Sequence, residues 1–274
     1  MPKSLAAQPL YAPLLASLGN TLTGAGTPPD HRQLNALAAA RGIRGGSGAP
    51  IRFVVPGNSG MSYEERSYWL GEVETRPGNW HDGFNALIWL TYPLTKAALN
   101  ERHHRALGGQ RPAGNPGRGP LRDALTQFDE CGVAVVSTRI DLWDGIRAHC
   151  WQEVFWTRRD EVRQCLKVFV FGHASLDLLR TPHIGLCGKA LFLHVDEAFL
   201  AQPAAAQLAE VDRRMAQRFS GDLNAYGAYT RPRDFHPLPL LGIPGVTPDN
   251  AFPAYYEDTR QFRPLRRAAA EPAA

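Results

Sequence analysis

Lysine is scarce in this 274-residue chain: Lys3, Lys96, Lys167 and Lys189 are all there are, and arginine supplies the rest of the positive charge. No basic run is longer than two residues, as at Arg158-Arg159 and Arg266-Arg267, and the arginines are spread among a comparable number of acids. The net charge of +4 and isoelectric point near 9.0 therefore describe a mixed, solvated surface, and nucleic acid is disfavoured as a partner. Cysteine is also sparse. Cys131, Cys150, Cys165 and Cys187 form no CxxC pair, which argues against a zinc knuckle or a thioredoxin-type site. Long apolar runs are missing, since the N-terminal pieces are interrupted by Gln8-Pro9 and Pro13. No signal peptide, spanning helix or other membrane segment is expected, and free thiols in a reducing cytoplasm are the simplest assignment. The HExxH, GxSxG, GxGxxG and GxxxxGK[ST] patterns are absent, as is any internal repeat. The commonest signatures of zinc proteases, α/β-hydrolases, dinucleotide enzymes and P-loop proteins are thereby missing.

What remains is a globular composition, 44% hydrophobic and 20% charged, in a chain long enough to bury a substantial core. Taken in order, residues 4–18 and 31–41 read as short helices, the second capped by Asp30 and both possible as peripheral additions. Residues 51–55 read as a strand; 63–73 is ambiguous, its acids and Arg66 suiting a helix while the run leads into a break at Gly71 and a polar stretch. The glycine- and proline-rich stretch 108–120 reads as a surface loop, and 121–130 as a helix ended by Gly132. Strands are expected near 133–137, 167–171 and 190–195, with one helical stretch over 141–164 and another over 203–219. The spacing between 133 and 171 permits parallel pairing through a crossover. Prolines from Pro232 onward rule out long helices. Even so, 236–264 is too apolar for a solvated tail, so it should wrap over the body, with Arg260 and Arg263 pairing to carboxylates there. The expectation is a helix-rich, single-domain α+β fold over residues 1–264, with a small central sheet and a disordered tail, 265–274.

The most informative stretch is 75–104, TRPGNWHDGFNALIWLTYPLTKAALNERHH. Asn79 is an N-cap candidate. A helix starting at Trp80 places Asn85 within reach of His81 and Asp82. Pro93 must break that helix and start another. On the second helix Lys96, Asn100 and His103 form one stripe. Polar groups alternating with bulky apolar ones suit a polar site built against a hydrophobic wall. Further along, Asp123, Thr126 and Glu130 share a helix face, Asp129 neighbours Thr126, and His173 sits at a strand-to-helix junction, where strand ends open onto crevices.

These blocks carry a resemblance. TRPGNWHDGFNALIW at 75–89, the Pro93/Lys96/Asn100/His103 run, RDALTQFDECG at 122–132, FGHA at 171–174, LPLLGIPG at 238–245 and YEDTRQFRP at 256–264 resemble a bacterial family catalogued as domain of unknown function 3025. The resemblance implies no activity and no catalytic residues, so the chemistry must come from the side chains. His81-Asp82 also matches, in two letters only, the helical metal-dependent HD phosphohydrolases; the upstream metal histidine at the usual spacing is missing.

Three readings stay open. In the first, His81, Asp82, Asp129 and His173 hold a divalent metal (zinc, manganese or iron) in a hydrolase acting on a phosphoester or other anionic small substrate, with Glu130 as base and Lys96 assisting. In the second, a metal-free module binds a small anion through Arg76, Lys96 and Arg122, with Asn85, Asn100, His103 and Asp123 nearby. In the third, the polar groups are satisfied core networks. The first reading requires His81, Asp82, Asp129 and His173 to converge in one concave pocket.

Overall fold

A computed structural model describes residues 5–19, 26–57, 60–108, 119–220 and 229–265. Most of the stretch 108–120 and the tail beyond 265 lie outside the described residues. The elements run α1 (Ala12–Leu18), α2 (His31–Arg41), β1 (Arg52–Val54), α3 (Tyr63–Trp69), β2 (Glu72–Glu74), α4 (Trp80–Thr91), α5 (Pro93–Gly108), α6 (Pro120–Cys131), β3 (Gly132–Ser137) and α7 (Ile140–Arg147). They continue with a π-helical turn (Glu153–Thr157), α8 (Arg159–Cys165), β4 (Leu166–Val170), α9 (His173–Leu178), β5 (Cys187–His194), α10 (Glu197–Ala201), α11 (Ala204–Ser220) and β6 (His236–Pro239). The fold is α+β and helix-rich, built on one buried core. No helix among the described residues is long and apolar enough to cross a membrane.

The central sheet has the order β4-β3-β5-β6. β3 is buried at every position, which is why its sequence is a continuous apolar run without alternation. It pairs in parallel with β5 and antiparallel with β4. Parallel pairing of β3 with β4, which the spacing allowed, does not occur. The chain leaves β3 at Ser137 and re-enters β4 at Leu166 directly opposite, so the helices between return it to the same end. The expected strand at 51–55 also lies elsewhere. β1 pairs in parallel with β2 as a separate two-stranded sheet, and the fourth central strand is β6, antiparallel to β5.

The N-terminal helices are not peripheral. Leu10, Tyr11, Leu14, Leu34 and Ala38 are buried in the core, and the Tyr11 hydroxyl donates to the Leu176 carbonyl at 2.7 Å. Asp30 caps α2 in a reciprocal capping box with Gln33. The stretch 141–164 is broken where one helix was expected. His149 adopts φ +57°, and the chain resumes through the π-helical turn. The C-terminal segment fixes this break, since the Arg263 carbonyl accepts from both His149 Nδ1 and Trp151 Nε1 at 2.9 Å.

Residues 236–264 do wrap over the body. Leu238, Leu240, Leu241, Ile243, Tyr256 and Phe262 are buried, although Phe252 is exposed. Asn250 holds the wrap by donating to the carbonyls of Leu241 and Ile243 at 3.0 and 2.6 Å. Among the described residues the expected arginine pairs with the body do not form. Arg260 folds back onto Asp258 in its own segment, and Arg263 is held through its carbonyl.

Two features aim the helices of the 75–104 stretch. Residues Gly83 to Thr91 of α4 are all buried, as expected of a helix that is apolar on every side. Pro93 opens α5, and the buried Asp212 of α11 caps it, accepting from the amides of Leu94 and Thr95 at 3.0 and 2.8 Å and from the Thr95 hydroxyl at 2.7 Å. That cap satisfies donors at the start of a helix that could not otherwise be buried.

Candidate functional site

Helices α3 to α6 and the start of α9 enclose a cleft of about 550 Å³. His81, Asp82 and Asn85 from α4, Lys96, Asn100 and His103 from α5, Asp129 and Glu130 from α6, His173 from α9, and Arg76 before α4 all line it. Four sequence blocks thus meet in one concavity. A polar side chain buried without a partner costs a few kcal/mol, so scattered polar blocks would be expensive in this core.

The antiparallel β3–β4 register makes this meeting possible. Glu130 ends α6 just before β3, and His173 follows the end of β4; with Val133 opposite Val170, those two ends are neighbours. Gly172 completes the approach. A Cβ there would fall 2.5 Å from both the Cys131 Cα and the Glu130 carbonyl oxygen, so no larger residue fits the junction. The amides of Phe171 and Gly172 both donate to the Gly132 carbonyl, at 2.9 and 2.8 Å.

His173 is buried, and its Nδ1 lies 2.8 Å from the Asp129 backbone carbonyl. A carbonyl only accepts, so Nδ1 carries the proton and Nε2 of the neutral ring carries the lone pair. Burial holds this imidazole below its ordinary range, against the opposing pull of Asp129. Nε2 lies 3.5 Å from Glu130 Oε2. His81 Nε2 lies 4.0 Å from the same oxygen, and the two rings meet edge to face at 4.6 Å between centroids. One ligand atom from each of His81, Glu130 and His173 falls within a 4.8 Å spread. Such a set of two imidazoles and one carboxylate suits zinc or iron and leaves coordination positions open.

The two aspartates proposed as ligands are committed elsewhere. Asp82 accepts from Arg76 Nε at 2.8 Å, from its terminal nitrogen at 2.9 Å and from its backbone amide at 2.8 Å. Burial pushes Asp82 up, but the side-chain and backbone bonds from Arg76 outweigh it and its pKa is lowered. The Asn79 cap on the Asp82 amide, 3.0 Å, turns this first helical turn toward Arg76. Asp129 Oδ1 accepts from Lys96 Nζ at 2.6 Å, and its other oxygen stays 3.8 Å from His173 Nδ1. Burial again pushes upward, and the Lys96 charge prevails and lowers the carboxyl's pKa. The carboxylate that faces both imidazoles is Glu130.

Lys96 is only 4% exposed. Besides Asp129 it donates to Asn85 Oδ1 at 2.9 Å and lies 5.2 Å from the centre of the Trp89 ring. Its ammonium is fully engaged by the protein. Asn100 is engaged too, bonded to Ser67 Oγ at 2.9 Å and to the Gly46 amide at 3.1 Å. Arg122 and Asp123 do not line the cleft. They sit a full turn nearer the N-terminus of α6 than Thr126, and Asp123 is exposed. Tyr63, Glu64 and Ser67 of α3 do line it, and the sequence reading did not select them. The available signal was the Ser62-Glu65 capping box, which makes 63–69 a helix and places Tyr63, Glu64 and Ser67 toward one side.

His103 is 7% exposed, and burial pushes its pKa down to about 4. The unfolded chain, with an ordinary histidine near 6.5, takes up a proton at higher pH than the fold does. Stability from this group is present above about pH 6.5 and is lost as the pH falls through 4. Each pH unit between is worth about 1.4 kcal/mol. Between pH 7 and pH 4 the urea-unfolding free energy of the wild type should drop by on the order of 3 kcal/mol more than that of His103→Leu. Equal losses would mean that His103 does not carry this dependence.

No curated protein and no solved structure matches the chain. A family model does match, over residues 51–266, a span that contains every side chain of the cleft. The chain therefore belongs to the family described as protein of unknown function DUF3025.

Proposed function

We propose that the cleft is the centre of a divalent-metal-dependent hydrolase, with His81, Glu130 and His173 as the protein ligands. One observation carries this reading. Once His173 Nδ1 is tied to the Asp129 carbonyl, its Nε2 lone pair faces a carboxylate oxygen at 3.5 Å, and a second imidazole nitrogen approaches that oxygen at 4.0 Å. The lone pairs of His173 and Glu130 that face each other at 3.5 Å repel unless a cation or a shared proton lies between them. The bond from Nδ1 to a backbone carbonyl is also the outer-sphere support typical of a metal-ligating histidine. His81, Glu130 and His173 would hold the ion, which would supply Lewis acidity toward water and a substrate oxygen.

The anion-binding module is less well supported. The lining cations Arg76 and Lys96 are each paired with a carboxylate, and five acids line the same cleft. A purely structural network leaves the three convergent donors without a reason to face one another. Nucleic acid is disfavoured by the dispersal of the arginines, many of which pair with nearby acids. The four cysteines are unpaired in the fold, which accords with a protein working in the reducing cytoplasm.

The test is elemental analysis of protein purified without chelator, followed by zinc, manganese and iron titration of the stripped protein. About one equivalent of a divalent ion per chain is expected, and Glu130→Ala should lose it. A stripped protein that binds none of the three metals would remove this reading.

A further inference from the structure

We propose that Tyr63 is the hydrogen-bond donor to the substrate, and that the group it holds is the oxygen of a neutral carbonyl, as in an ester or amide. This rests on the metal-hydrolase reading above and adds to it a substrate class and a catalytic residue.

The direction of Tyr63's proton follows from a chain of fixed polarities. Lys96 is an ammonium and can only donate, so the Asn85 atom 2.9 Å away is the amide oxygen. The Asn85 nitrogen therefore faces Tyr63, and it donates to the phenol oxygen at 2.9 Å. Tyr63 spends an acceptor position on the protein and keeps its O–H. No side chain or carbonyl among the described residues accepts that proton. Burial raises the phenol's pKa further, so the donor stays protonated at any working pH. The cleft that Tyr63 lines is the one holding His81, Glu130 and His173.

Two neighbours support the choice of ligand. The indole N–H of Trp89 is directed at the Tyr63 oxygen, and Nδ1 of His103 is buried in the cleft wall without a partner. The first can only donate, and the second belongs to a ring kept neutral by burial. Neither brings charge. The two cations of the wall are already neutralised by Asp82 and Asp129. Apart from the metal, no cation of the described wall is uncommitted, so a phosphate dianion would find a single counter-charge there. An uncharged carbonyl oxygen needs only the donors that are present.

In hydrolysis, water adds its oxygen to the carbonyl carbon, one of its protons passes to the departing oxygen or nitrogen, and the bond from carbon to that atom breaks. Negative charge gathers on the carbonyl oxygen in the transition state. A donor already oriented toward it stabilises that charge without reorganising.

The experiment uses the full-length protein loaded with zinc, with EDTA-treated protein as the blank. The probes are 4-nitrophenyl acetate and 4-nitrophenyl phosphate. The zinc-dependent kcat/KM is expected to be at least about tenfold higher for the acetate. Tyr63→Phe is expected to lower it by roughly 100-fold, mainly in kcat, with bound zinc unchanged. Zinc bound at one equivalent with the phosphate ester turned over faster, with neither ester turned over, or with Tyr63→Phe equal to wild type, overturns this inference and leaves the metal centre standing. Failure to bind zinc, manganese or iron overturns both.

Discussion

His81→Ala is expected to weaken zinc binding by at least roughly 100-fold, more than the loss of an outer-sphere partner usually causes, while leaving the metal-free protein almost as stable as wild type. The contrast comes from where the side chain sits. His81 is 38% exposed, with its Nε2 directed at Glu130 and its ring against His173, so the apo fold should lose no more than about 0.5 kcal/mol. Its contribution emerges only when an ion is shared among the three donors. At zinc concentrations about 100 times the wild-type Kd, wild-type protein should gain about 2.7 kcal/mol in unfolding free energy, and the variant should gain close to nothing. Chelator competition and thermal unfolding with and without zinc measure the two halves independently. An equal zinc-induced shift in both proteins would show that His81 is not a ligand.

Asp129→Ala is expected to cause the largest loss of stability of any single change in the cleft, about 3 kcal/mol. The value is at the lower end for a broken buried ion pair, because the Asp129 side chain is 20% exposed while Lys96 is 4% exposed. Removing the carboxylate leaves an ammonium enclosed by Asn85 and the Trp89 face. The pair itself is a different matter from the broken pair: Lys96→Met combined with Asp129→Leu removes both desolvation costs and should recover most of the loss. Urea unfolding of the two variants checks this. A single variant within 1 kcal/mol of wild type would mean that water reaches Lys96 and the pair is effectively exposed.

Much of the fold was legible locally. Asn79, Pro93, Asp30 and Gly132 act on their immediate neighbours, so the starts of α2, α4 and α5 and the end of α6 follow from chain chemistry alone. The apolar runs at 133–137 and 190–195 were legible as strands for the same reason. Partnership was not. Whether β4 runs with or against β3 depends on where the helices between them return the chain, and no residue between 138 and 165 states that. The strand at 51–55 looked like any other, and its pairing with β2 is set by contacts remote in sequence. The site shows the same division. His81, Asp129, Glu130 and His173 were selectable because polar side chains in apolar blocks need partners. Which carboxylate faces the imidazoles was not selectable, because Asp82 and Asp129 are drawn off by Arg76 and Lys96 through distances that only the folded chain defines. Tyr63 was missed because a tyrosine opening an ambiguous segment carries no local mark of what its hydroxyl faces.

The junctions around the cleft leave the chain no slack. α6 runs into β3 without an intervening residue, and only Phe171 and Gly172 separate β4 from α9. In a strand each residue advances the backbone by about 3.3 Å, comparable to the 3.5 Å between His173 and Glu130. One residue inserted or deleted at either junction would therefore shift a donor by the full width of the gap it helps define. Changes in length among descendants of this chain should be confined to stretches outside these junctions, such as the exposed turn at 181–184. The segment counts 131-to-132 and 170-to-173 should be as invariant in evolution as the identities of the side chains they carry.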